Sequence, residues 1–179
     1  LGGATLALVS VVVAWTAGGP LPRYGFFEMM VVDELALVFK AIVLVSLMLS
    51  IALSVRYLDV ESEQRGEFYA LMCFATVGMM FVASGRDLLA IYVSLELMAL
   101  SVYVLVGFLK RNRASNEAAL KYFLLGTFSS GVLLYGMSLL YGLTGTTKLA
   151  RIPATLPRLV SRRTRYGAPP HPRPPPPVL

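Results

Sequence analysis

Long apolar runs separated by short polar joints set the organisation of this chain, and five of them approach the roughly 20 residues a helix needs to cross a bilayer. The first covers about Leu1 to Trp15 and is short; it stops at Gly18-Gly19-Pro20-Leu21-Pro22, where flexible and donor-less residues end a helix. The second spans about Leu35 to Val55, with Lys40 close enough to its start to snorkel to the headgroups. A polar loop, RYLDVESEQRGE (56–67), is read as too polar to be buried. The third run is about Phe68 to Ser84, and Gly85-Arg86-Asp87 forms a tight interfacial turn before the fourth, about Leu88 to Leu109. KRNRASNE (110–117) then leads to the fifth, about Ala118 to Leu143. The expected fold is all-α: a polytopic transmembrane helix bundle of about five spans, followed by a disordered tail.

Composition supports the membrane reading, since 56% of residues are apolar and the mean hydropathy is +0.69, far above a soluble domain. A formal charge of +6 suggests nucleic acid or anionic lipid as partner, until its distribution is examined. All ten acids precede Lys148, with nine of the sixteen bases. The other seven bases, nine of the eleven prolines and the single histidine, His171, lie from Lys148 onward. The chain therefore divides into a membrane domain over 1–147 and an Arg/Pro-rich tail over 148–179, and no nucleic-acid partner is expected. Cys73, the only cysteine, sits in an apolar run, where it reads as a small buried hydrophobe. It provides no intrachain disulfide and no cysteine-based zinc site. No phosphate loop, HExxH, paired cysteines or nucleophile–base pair is present, so a soluble-enzyme reading has no support and no metal ligand is assigned. The start at Leu1, without a basic segment before the first apolar run, reads as a truncated N-terminus rather than a signal peptide.

Loop charges orient the bundle. With five spans, 56–67 and 110–121 share one side and carry Arg56, Arg65, Lys110, Arg111, Arg113 and Lys121. The opposite side has Arg23 and Arg86 before the tail. The first side is expected to be cytoplasmic, and a tail counted on the other side would reverse the tally.

Glu96, in DLLAIYVSLELMALSVYVLVGF, is the one acid well inside a span. A carboxylate near the bilayer centre costs roughly 2.5–3.5 kcal/mol on insertion scales, and such acids are functional by default. Tyr92 lies one helical turn away and Tyr103 two turns away, on roughly the same face. Either phenol is placed to hydrogen-bond the carboxyl or a water chain beside it. The alternative is a protonated Glu96 that only glues its helix to a neighbour. In the fifth run, Gly126 and Ser130 form a small-xxx-small pair read as helix packing. Glu117 and Lys121 at i, i+4 read as an interfacial ion pair, with proton entry at the cytoplasmic end as a second role for Lys121.

SGRDLLAIYVSLELMALSVYVLVGF followed by NEAALKYFLLGTFSSGVLLYGMSLLYGLTGTT resembles subunit N of the proton-pumping NADH:quinone oxidoreductase (complex I), called subunit 2 in mitochondria. GEFYALMCFATVGMMFVAS and VVDELALVFK resemble earlier helices of the same family, so the likeness covers roughly residues 30–148. The LEL motif on one span and EAALKYFLLG at the start of the next carry its specificity. Related cation/proton antiporter subunits of the Mrp type share the first motif and match the second less closely; they are the alternative assignment.

The resemblance implies an antiporter-like subunit of the complex I membrane arm, comprising family helices 2–6. In that family the Glu of this helix pairs with a Lys two helices further on, along a hydrated mid-membrane axis; by motif, that Glu is Glu96. It also implies that NADH, flavin mononucleotide, iron–sulfur clusters and quinone belong to partner subunits, with no cofactor in this chain. The implied partners are other membrane-arm subunits and the lipid bilayer, and the implied location is a bacterial inner membrane. The family continues through further helices, whereas RLVSRRTRYGAPPHPRPPPPVL departs from its pattern. That departure reads as a frameshift or truncation, and an inactive fragment is the third functional reading.

Overall fold

A computed structural model describes residues 2–16, 21–61 and 65–155. Residues 18–20 of the helix stop and 156–179 of the tail lie outside these; the first tail residues are described and include a 3-10 helix at Leu149–Arg151. Five α-helices dominate: α1 (Gly2–Thr16), α2 (Glu34–Glu61), α3 (Arg65–Ser84), α4 (Leu88–Val106) and α5 (Arg113–Thr144). The last four are long and apolar enough to cross a membrane, and α1 is a shorter apolar helix. The all-α multi-span bundle expected from the apolar runs is the fold observed.

Each helix packs mainly on the next in sequence, α1 on α2, α2 on α3, α3 on α4 and α4 on α5. Two apolar clusters hold the first part together: Ala4 with Leu47 and Ile51, and Val11 with Leu37 and Leu44. Among the described residues, α3 and α4 share the most extensive helix–helix packing. A Cβ added at Gly78 would lie 2.7 Å from the Met98 amide nitrogen and 2.8 Å from the Ser94 carbonyl oxygen, so only glycine lets these backbones approach. Ser94 and Ser101 are buried on α4 and return their hydroxyls to the Ala90 and Leu97 carbonyls at 2.6 and 2.8 Å. Both serines thus pack as small residues without an unpaired polar atom.

Helix limits differ from the apolar runs where polar residues are compatible with helix. The loop expected at 56–67 is largely helical: α2 continues to Glu61, α3 begins at Arg65, and Leu58 is buried. Arg56, Asp59 and Glu61 end the apolar run without ending the helix, because none of them breaks backbone hydrogen bonding. At 28 residues α2 is about 42 Å long, longer than a hydrocarbon core of about 30 Å. Similarly, α5 starts at Arg113 rather than Ala118, because the Asn112 side chain accepts from the Ala114 and Ser115 amides and caps it. Helix α4 ends at Val106 rather than Leu109, with Gly107 as its C-cap. Cys73 is exposed on α3 rather than buried, since no described element covers that face.

A short antiparallel hairpin, absent from the apolar-run reading, joins α1 to α2: β1 (Arg23–Gly25) pairs with β2 (Met30–Val32), Tyr24 opposite Val31. Its turn places Phe26, Phe27 and Glu28 at φ of 49°, 56° and 66°, and the Met29 amide donates to the Phe26 carbonyl. These are left-handed values that side chains other than glycine rarely adopt. Backbone bonds anchor the hairpin to the α3–α4 turn, as the Arg86 amide donates to the Met29 carbonyl at 2.8 Å. The segment after α5 joins the same cluster. Leu88 N donates to Thr147 O at 2.9 Å, and Leu149 N to Arg86 O at 3.0 Å. The joints α1–α2 and α3–α4 and the end of α5 therefore meet on one face, opposite the α2–α3 and α4–α5 joints.

Candidate functional site

Helix α4 starts at Asp87, which is 1% exposed. One carboxylate oxygen caps the helix by accepting from the Leu89 amide at 2.9 Å, and the other accepts from Thr147 Oγ1 at 2.5 Å. A buried acid with both oxygens engaged is well satisfied, and here it fixes the start of α4 against the segment following α5. From that start α4 presents two faces. Ser94 and Ser101 meet α3, while Tyr92, Glu96 and Tyr103 lie towards α5.

Three contacts set the α4–α5 seam. Gly107 faces Ala119, whose Cβ would lie 2.8 Å from a Cβ added there. Next, Tyr103 packs edge-on against Tyr122 and Phe123, with centroids 5.1 and 5.6 Å away, and its phenol end occupies the space beside Gly126. Last comes Ser130. Its hydroxyl donates to Glu96 Oε1 and lies 3.3 Å from Tyr92 Oη. Glu96, Tyr92 and Ser130 are each half-buried. Glu96 stands near the middle of α4 and is held by a side chain from another spanning helix rather than pointing into lipid.

Tyr92 and Glu96 are thus brought together, with Ser130 between them. Tyr103 is buried in the same seam, and among the described residues no hydrogen bond joins it to Glu96. Lys121 pairs with Glu117 at 2.5 Å, with side chains 70% and 66% exposed. It lies nine residues before Ser130, about 13.5 Å along α5, and outside the Glu96 cluster. Ser130 is the residue that sequence reasoning missed as a polar partner, having read it as packing. Antiparallel register contains the signal: eleven residues back from Gly107 is Glu96, and eleven forward from Ala119 is Ser130.

Beyond Tyr92 a half-open, largely apolar cleft of about 440 Å³ lies between α4 and α5, lined by Leu88, Tyr92, Leu134, Met137, Ser138 and Thr147, among others. At the surface beyond it, Lys148 Nζ lies 2.7 Å from Glu28 Oε2 and the Arg86 guanidinium sits 4.8 Å from the Tyr24 ring centroid. The hydrogen bond and charge of Lys148 hold the Glu28 carboxyl below its ordinary pKa. Among the described residues, no group of three or more His, Cys, Asp or Glu side chains could hold a metal ion.

Sequence comparison matches the family described as NADH:quinone oxidoreductase/Mrp antiporter, TM over residues 85–166, which include Glu96 and Ser130. NADH-quinone oxidoreductase subunit N 1 of Koribacter versatilis is 52% identical over 141 residues, covering 79% of this chain and 28% of the relative. This chain belongs to that membrane family. Subunit N 2 of Solibacter usitatus is 49% identical over 80% of the chain, and NAD(P)H-quinone oxidoreductase subunit 2 of Acaryochloris marina is 44% identical over 73%. Among solved structures, respiratory complex I from Thermus thermophilus with bound aureothin matches with a TM-score of 0.69 and 37% identity, over 82% of this chain and 31% of that one. The chain spans less than a third of the length of each of these relatives: 28%, 29%, 25% and 31%. The family is thus the one that the LEL and EAALKYFLLG stretches resemble.

Proposed function

We propose that this chain contributes to proton translocation in the membrane arm of an NADH:quinone oxidoreductase, with Glu96 as a protonatable member of the relay. The observation that carries the reading is the position of Glu96: mid-span, half-buried, and hydrogen-bonded across a helix interface to Ser130. Desolvation makes an ionised carboxyl at this depth costly. A hydroxyl supplied by the adjacent helix can serve both states, donating to the carboxylate and accepting from the acid. Such a group can bind and release a proton without the helices separating.

NADH oxidation and quinone reduction, with flavin and iron–sulfur centres, are assigned to partner subunits of the same complex. The proposed setting is a bacterial inner membrane, with the α2–α3 and α4–α5 joints cytoplasmic, as the distribution of Lys and Arg favours. Tyr92 is assigned a supporting role beside Glu96, Tyr103 shapes the seam, and Lys121 with Glu117 marks the cytoplasmic entrance. The relatives named above support an oxidoreductase subunit over an Mrp-type antiporter.

Glu96→Gln keeps the side-chain volume and removes the exchangeable acid. In native membranes containing the assembled complex, it should lower NADH-driven proton uptake and the quinone reductase rate coupled to it. Unchanged rate and proton-to-electron ratio would refute the assignment.

A further inference from the structure

The cleft between α4 and α5 is half open, and its walls include Leu89, Val93 and Leu134, which are exposed on the flanks of the spanning helices. Two of its hydroxyls are already engaged within the protein. Ser138 donates to the Tyr135 carbonyl at 2.7 Å, and Thr147 donates to the Asp87 carboxylate at 2.5 Å. A lining of this kind suits hydrocarbon better than water. Depth and volume then narrow the occupant. Helix α4 has 19 residues, about 28 Å, close to the thickness of a hydrocarbon core, so its start lies at one membrane surface. Leu134 precedes the end of α5 at Thr144 by ten residues, and the cleft therefore reaches about 15 Å inwards, the depth of one leaflet. A helix of that length and about 10 Å diameter would occupy roughly 1,200 Å³. The cleft offers about 440 Å³. An extended acyl chain fits where a helix does not.

The mouth of the cleft is charged. Asp87 forms a backbone bridge with Lys148, and the Leu149 amide donates to the Arg86 carbonyl at 3.0 Å. These bonds hold Arg86 and Lys148 on adjacent stretches of backbone, beside the lining residues Leu88 and Thr147. The 3-10 helix Leu149–Arg151 adds an exposed third cation, Arg151. All three act on the Glu28 carboxyl through their charge. Three cations thus stand against two acids. Of these, Asp87 is buried with both oxygens engaged, and Glu28 lies 2.7 Å from Lys148 Nζ at the surface.

We propose that the cleft binds one acyl chain of an anionic phospholipid whose phosphate rests on Arg86, Lys148 and Arg151. The chain is held by apolar burial, and the cations select the headgroup. Each cation near the membrane surface favours an anionic lipid by about fivefold. Glu28 competes with the phosphate for Lys148. The site goes beyond proton transfer and does not depend on the role of Glu96.

The full chain in phosphatidylcholine nanodiscs, doped with spin-labelled phosphatidylglycerol or spin-labelled phosphatidylcholine, provides the test. Phosphatidylglycerol should show the larger immobilised fraction. Arg151→Gln should lower that selectivity about fivefold, and Glu28→Gln should raise it, because the competing carboxylate is gone. Met137→Trp fills the cleft and should abolish the selective fraction with all three cations in place. In native membranes, benzoylphenylalanine placed at position 137 should crosslink to lipid on illumination. Equal immobilisation of the two lipids would overturn the proposal, as would selectivity unchanged in both Arg151→Gln and Met137→Trp. A crosslink from position 137 to a partner subunit would also overturn it, by giving the cleft to protein rather than lipid.

Discussion

Gly126 and Gly136 lie ten residues apart on α5 and meet different surroundings. A Cβ at Gly126 would collide with the Tyr103 phenol, while one at Gly136 meets nothing within 4 Å. Gly126→Leu should therefore push α5 off α4, destabilise the seam by about 1–3 kcal/mol and break the Ser130–Glu96 bond. Gly136→Ala should change stability by less than about 0.5 kcal/mol; thermal unfolding in lipid nanodiscs compares the two. Glu28 provides a pH test at the surface. Its folded pKa is lowered by Lys148, so the stabilisation is present above the ordinary carboxylate range and is lost as pH falls through the lowered value. Deuterium uptake by the hairpin, relative to Glu28→Gln at each pH, should show extra protection near neutrality that disappears in acid. The effect will be small because the pair is exposed and screened by salt. Glu96 was visible in the sequence because an acid in an apolar run contradicts its surroundings. Ser130 was not, because serine is common at helix contacts and its role depends on the register of two helices.

At the level of elements, apolar runs located all five helices but misplaced several of their ends. Hydropathy reports where lipid stops, and a helix can run on past that point until a cap, glycine or proline intervenes. The polar end of α2 therefore read as loop, while Asn112 and Asp87 mark true starts. The hairpin escaped notice because three-residue strands carry too little periodicity to register. Its turn makes a direct prediction. Phe27 is 92% exposed at φ 56°, so Phe27→Gly loses little packing and relieves about 1–2 kcal/mol of backbone strain. Amide exchange at Met30 and Val32 should slow accordingly; faster exchange would mean that the aromatic side chain holds the turn. Asp87→Ala acts oppositely, removing the α4 cap and leaving Thr147 without its acceptor. A cost of about 1–3 kcal/mol is expected, measurable as earlier thermal loss of α4–α5 contact.

Across the whole molecule, the helices form a sequence of neighbours whose flanks are largely apolar and exposed, from Leu6 on α1 to Leu143 on α5. Exposure on this scale suits lipid or further membrane helices, and it explains why Cys73 lies open although its sequence surroundings suggested burial. Sidedness can be tested directly. In a Cys73→Ser background, Glu67→Cys and Asn116→Cys should react with an impermeant maleimide from one face, and Tyr24→Cys only from the other. Labelling of Tyr24→Cys and Asn116→Cys from the same face would refute the alternating topology. The bond between Asp87 and Thr147 has a consequence for biosynthesis. The ribosome must add 60 residues after Asp87 before its hydroxyl partner exists. During that interval α4 enters the membrane with its acidic start satisfied only by its own backbone and water. Helix α5 must then insert in the opposite direction before the partner arrives, so the bond records that the pair has been threaded correctly.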